Sequence, residues 1–244
     1  MAHPHQKSTH LLKSCAQSFE VAVNPLDVDK WSAGFTMAKA LDTLVDEDHE
    51  YDSGAYAARL LAGESIPYVN DEEAIFIRTT YDALSDPSKE QWQHSAANLG
   101  AFAIKRLEAS TIEDYIEVVC DESHLMADVL KVESDEARRD TAQRQVFNAW
   151  MDQMGQTAYL CDTLSDFIRD HNEGNMSITP TARGAVILAR HALKELFRFT
   201  QVTPLPIYTA MTQRAVTKTL EKVQRPAFFS TQFIKQASAH TSSK

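Results

Sequence analysis

Apolar residues recur at three- and four-residue spacing through most of the chain, and the interruptions fall at Pro, Gly and Asp/Ser clusters. That pattern predicts about nine helices, near 9–22, 27–47, 53–62, 71–85, 87–108, 110–132, 135–171, 181–201 and 206–224. No segment sustains the period-two alternation of a half-buried strand, so an all-α fold is expected.

The punctuation agrees with these limits. Asn24-Pro25 separates the first two helices, and Gly63 ends the third. Asp71, Glu72 and Glu73 suit the positive end of a helix dipole, and Pro87 sits near a helix start, where its missing N–H costs little. Ser110 with Glu113 three residues on reads as a capping box. A polar loop, HNEGNMSITP, follows the longest helix, and RPAFFSTQF is expected to pack the last helix on the domain or touch a membrane or partner.

Composition narrows the class further. The chain has 244 residues, 43% of them hydrophobic, with only seven Gly and eight Pro, which favours one helical domain with its own core. The expected organisation is a flexible segment over residues 1–10, a helical bundle over 11–226 and a tail over 227–244. A net charge of −10 argues against a broad phosphate-neutralising face, so no nucleic acid is expected. Cys15, Cys120 and Cys161 lack zinc or CxxC spacing, and no GxGxxG or GxxxxGK[ST] occurs. With no apolar leader and no run of eighteen apolar residues, a cytoplasmic protein is expected.

Charge is distributed unevenly. The stretch KALDTLVDEDHEYD carries six carboxylates within residues 42–52, at the end of a helix whose Leu41, Leu44 and Val45 suit a core. Asp42 and Asp46, four residues apart, share a helix face with their roots roughly 6 Å from each other. Near the end of the longest helix, Asp162, Asp166 and Asp170 repeat the i,i+4 spacing opposite Leu160, Leu164, Phe167 and Ile168. Each stripe alone reads as a solvated helix face. Two facing one cavity read as a Mg²⁺ site, because Mg²⁺ takes oxygen ligands, keeps several waters and bridges one or two carboxylates to substrate phosphates.

These stripes carry a family resemblance. KSCAQSFEVAVNPLDVDKWSAGFTMAKALDTLVDED resembles the amino-terminal part of squalene and phytoene synthases, with a Ser-Phe on a first helix and a second helix ending in RALDTVEDD or a variant. YLCDTLSDFIRDHNEG resembles that family's LQxxNIIRDxxED, and STIEDYIEVVCDESHLMADVL sits where the family has a tyrosine-bearing helix with a VAGxVG signature. The three lie in the family's order and spacing, and the resemblance covers roughly residues 13–225.

The resemblance implies a class I isoprenoid synthase bundle that joins two allylic prenyl diphosphates, farnesyl or geranylgeranyl, head to head. It implies Asp42, Asp46, Asp166 and Asp170 as catalytic Mg²⁺ ligands, with Glu173 as a further one. Ser18, Phe19, Lys39, Tyr115 and Arg169 would contact substrate, and Phe19, Phe35 and Tyr115 are the aromatic candidates for an apolar cavity wall. An apolar product implies peripheral membrane association. Several positions depart from the pattern: Lys39 replaces an Arg, Asp166 an Asn and Gly174 the final acid, while VCDESH puts Asp121 and Glu122 where the family has small residues. Asp121 facing the cavity, and both acids facing solvent, are the two expectations for that segment. A cyclase-like enzyme using one prenyl diphosphate and a non-catalytic assembly or binding factor are the alternatives. Arg138, Arg139 and Arg144 are expected to pair with acids on a helix surface.

Overall fold

The computed structural model describes residues 6–132, 139–205, 207 and 209. The chain divides into a unit of Met1–Val202 and a unit of Thr203–Lys244, and only five residues of the second are described. The first unit is an all-α bundle of eight helices: α1 Gln6–Ser18, α2 Pro25–Asp46, α3 Ser53–Leu61, α4 Asp71–Ala83, α5 Asp86–Glu108, α6 Ile112–Leu130, α7 Thr141–Glu173 and α8 Ala182–Val202. No strand occurs among the described residues. Of the expected helix over 206–224 only residues 207 and 209 are described, and the RPAFFSTQF stretch and Arg138 lie outside the described residues.

Local chemistry explains most of the limits. Asn24 caps α2 by accepting from the Asp27 N–H, and the Asp27 carboxylate accepts from the Asn24 N–H in return. Asn70 and Glu73 build the same box on α4. The box on α6 sits one residue later than expected: Thr111, not Ser110, has the extended backbone of a cap, and its partner is Asp114, not Glu113. Ser110 donates to that same Asp114 carboxylate. α1 begins at Gln6, so residues 6–10 are helical, where a flexible segment was expected. It stops at Ser18, short of 22, because the chain turns through Glu20 at φ 60° while the Val21 N–H reaches back to the Ala16 carbonyl.

α6 runs through the middle, packed against α2 and α5 and against α7 and α8. One apolar cluster joins α2–α5 around Leu41, Leu44, Leu60, Ile77 and Trp92. Another joins α6–α8 around Tyr115, Val119, Leu160, Phe167 and Leu188. The buried indoles donate to the carboxyl end of α6, Trp31 to the Leu130 carbonyl at 2.7 Å and Trp92 to that of Val129 at 3.0 Å. They satisfy carbonyls that the helix end leaves without an intrahelical partner.

Arg144 is a correction to the surface-patch expectation. It is fully buried in α7, reaches Asp27 at 3.4 Å and Asp140 at 3.1 Å, and donates to the Ala22 carbonyl. The pair ties the first turn of α7 to the first turn of α2. The two helices therefore start together.

Candidate functional site

α2 and α7 also finish together. Their last turns line a cleft of about 920 Å³ that holds Asp42, Asp46 and Glu47 from α2 and its exit and Asp162, Asp166, Asp170 and Glu173 from α7. The volume lies within the range of small-molecule sites. Among the described residues, three permanent cations, Lys39, Arg106 and Arg169, stand against seven carboxylates. Asp46 in the last turn of α2 and Asp170 and Glu173 in the last turn of α7 sit where the dipole already disfavours negative charge by about 0.3–1 kcal/mol per acid. Among the described residues the site is short of positive charge.

The carboxylates register that shortage. Burial, then repulsion from Asp46, pushes Asp42 up to about 6, and Asp162 adds to the effect from the other helix. Asp170 is likewise pushed up to about 6 by burial, against the opposing pull of Arg169.

The three cations are spread along the cleft. Lys39 is exposed and lies 3.8 Å from Asp42. Arg169 folds along its own helix to Asp166 at 2.7 Å, Asp170 at 3.4 Å and Glu173 at 3.5 Å. Arg106 rises from the last turn of α5 and donates to Asp46 at 2.8 Å, with Glu122 3.5 Å from its Nε. Burial opposes the Arg106 charge, but Glu122 and Asp46 outweigh it and hold the guanidinium firmly protonated.

Glu122 is the polar floor beneath the cleft. It is 3% exposed, its Oε2 has no hydrogen-bond partner, and burial pushes it up to about 7 in spite of Arg106. The VCDESH segment thus divides its acids: Asp121 points to solvent and Glu122 inward. Neither sequence expectation described that arrangement. Arg106 and Glu122 were also missed as site residues, because nothing in IKRLE or CDESH marks them apart from a pairing across packed helices.

The sequence-predicted substrate contacts separate. Lys39 and Arg169 line the cleft with all five predicted metal ligands, Asp42, Asp46, Asp166, Asp170 and Glu173. Ser18 is exposed at the end of α1, and its hydroxyl is turned back to the Ser14 carbonyl. Phe19 packs its ring 5.7 Å from Phe147 and 5.5 Å from Trp150. Tyr115 is buried in the α6–α8 cluster, near enough to Arg106, Asp170 and Glu122 for their charges to act on its hydroxyl, which burial holds well above its ordinary range. None of these three lines the cleft, and neither does Phe35. The expected aromatics are absent from the lining, where Tyr159 of α7 stands among mostly polar and charged side chains.

Gly174 explains the missing final acid. It closes α7 at φ 83°, with the Asn175 N–H on the Asp170 carbonyl at 2.8 Å, a backbone that disfavours an acidic side chain. Glu173 supplies the acid one residue earlier, inside the helix.

For a hard divalent cation the Asp and Glu donors fit in kind, since they offer carboxylate oxygens and outnumber the cations among the described residues. No three His, Cys, Asp or Glu side chains converge on one point among the described residues. Mg²⁺ that retains waters needs only one or two of them. No family model, no curated protein and no solved structure matches the chain.

Proposed function

We propose that the chain is a Mg²⁺-dependent isoprenoid synthase of the squalene/phytoene synthase type. It takes allylic prenyl diphosphates, farnesyl or geranylgeranyl, and couples them head to head with release of diphosphate. The observation that supports this reading is the convergence of the α2 and α7 carboxylate stripes on one cleft, with cations in the minority among the described residues. A bare diphosphate would be repelled there, and divalent cations held by the carboxylates would offset that repulsion.

Asp42 and Asp46 on one side and Asp166, Asp170 and Glu173 on the other are the residues that would hold Mg²⁺. When bound, the ion supplies Lewis-acid charge to the departing diphosphate. Lys39 and Arg169 can exchange their carboxylate partners for diphosphate oxygens, and both side chains are exposed enough to swing, at 64% and 58%. Lys39 offers a point charge in place of a guanidinium fork and controls orientation less tightly. Arg106 holds Asp46 in position and keeps Glu122 from standing alone as a buried charge.

The test is pyrophosphate release by the purified full chain with farnesyl or geranylgeranyl diphosphate and Mg²⁺, followed by product mass. A product with twice the carbon count of its substrate supports coupling, and one with the substrate's own carbon count moves the reading to a cyclase. Release from neither substrate removes the enzymatic reading.

A second reading, a non-catalytic binding factor on the same scaffold, draws on the packing below the cleft. A Cβ on Gly34 would lie 2.8 Å from Val129 Cγ1, and one on Gly155 would lie 3.2 Å from the Ser123 carbonyl oxygen. α2 and α7 therefore press closely on α6 beneath the Arg106–Glu122 floor, which restricts the room for a long apolar chain. That reading predicts Mg²⁺-dependent diphosphate binding without turnover.

A further inference from the structure

The outer face of α8 carries an apolar stripe that nothing in the described structure covers. Val186, Leu193 and Phe197 are 67%, 65% and 64% exposed. At i, i+7 and i+11 they fall within roughly 40° of one another around the helix and extend about 16 Å along it. Single exposed apolar residues are ordinary, but three aligned large ones on one helix form a contiguous surface.

Charge surrounds that stripe in a definite way. Arg183, Arg190, Lys194 and Arg198 are all exposed on α8, on one flank of the stripe. The only acid of the helix, Glu195, is buried on the opposite side, where Gln153 and Arg198 bind it. α8 is thus a locally basic helix in a chain of net charge −10. Buried Gly184, Leu188, Ala192 and Phe199 hold its inner face in the bundle. Among the described residues no helix is long and apolar enough to cross a membrane.

We propose that the outer face of α8 docks on an anionic lipid surface, with Val186, Leu193 and Phe197 entering the headgroup boundary and Arg183, Arg190 and Lys194 meeting lipid phosphates and carboxylates. An apolar stripe edged by Lys and Arg is the composition of an interfacial helix. A protein of overall charge −10 is repelled by an anionic bilayer unless one face is locally positive, and α8 is such a face. The placement of the stripe is independent of the chemistry read for the cleft.

The experiment is flotation of the full chain with neutral phosphatidylcholine vesicles and with vesicles containing about one-third phosphatidylserine, at low and raised salt. The chain floats with the anionic vesicles, and raised salt weakens binding. Each Lys or Arg at the surface accounts for roughly five-fold in partition. Arg190→Ala with Lys194→Ala therefore lowers binding on the order of 25-fold. Leu193→Gln with Phe197→Gln releases the protein from vesicles while leaving its helical circular dichroism unchanged, because both side chains are exposed.

Failure to float with anionic vesicles overturns the proposal, as does binding that both double variants leave intact. Sedimentation velocity supplies the remaining outcome: self-association abolished by Phe197→Gln, without vesicle binding, assigns the stripe to a second copy and overturns the lipid reading.

Discussion

The Arg144 guanidinium and the Asp27 carboxylate, both fully buried, lie 3.4 Å apart and join the first turn of α7 to the first turn of α2. Because both helices then run in the same direction, their carboxylate stripes arrive at the same end of the bundle. A contact at one end of the molecule thereby sets which residues meet at the other.

Arg144→Met leaves Asp27 as an uncompensated buried charge and is expected to cost about 3–5 kcal/mol. Chemical denaturation measures it. Asp27→Asn combined with Arg144→Met recovers part of the loss, since the charge is then absent. A single variant that unfolds at the wild-type midpoint would show that the pair does not hold the helices.

Mg²⁺ is expected to raise the thermal midpoint, because an ion bound only by the folded chain stabilises it by about 2.7 kcal/mol at a hundred times its Kd. Asp42→Asn with Asp170→Asn removes the rise. Millimolar Mg²⁺ that leaves the wild-type midpoint unmoved counts against a metal site in this cleft.

Glu122 sets a pH dependence whose sign follows from its environment. Its pKa rises from 4.5 to about 7 on folding, so between those values the folded chain holds more protons than the unfolded one. The Glu122 contribution to stability is therefore greatest below about 4.5 and falls as pH rises to about 7. Asp42 and Asp170 act in the same sense between 3.8 and about 6. Metal-free Glu122→Gln should gain on wild type as pH is raised from about 5 to about 8, read as the difference between their denaturation midpoints. A constant difference over that range would mean that Glu122 does not titrate there.

Arg106→Lys keeps the charge but loses the planar fork that reaches Asp46 and Glu122 together. By analogy with outer groups that orient metal ligands, the expected loss is about 10- to 100-fold in Mg²⁺-dependent pyrophosphate release. The matching stability measurement separates this from unfolding. A full-activity Lys variant would reduce Arg106 to a simple counter-charge.

Much of this was legible along the chain because it is local. Helices follow from three- and four-residue apolar spacing, and the two carboxylate stripes follow from i,i+4 geometry within α2 and α7. The lining of the cleft then contains every predicted metal ligand. Ser18, Phe19 and Tyr115 were not decided locally: whether an aromatic faces a cleft or a core depends on the helix packed opposite, and Phe147 and Trp150 claim Phe19.

By itself the sequence determined an all-helical chain with paired carboxylates near the ends of two long helices, since both features depend only on neighbours within a turn. Only the tertiary structure decided that the stripes share a cleft, that Arg144 is a buried tie and that Glu122 points inward to Arg106 while Asp121 meets solvent. These pairings join residues far apart in the chain, 117 positions between Asp27 and Arg144. Their partners are fixed by how closely α2, α6 and α7 approach, a distance set at Gly34 and Gly155 that no local pattern encodes.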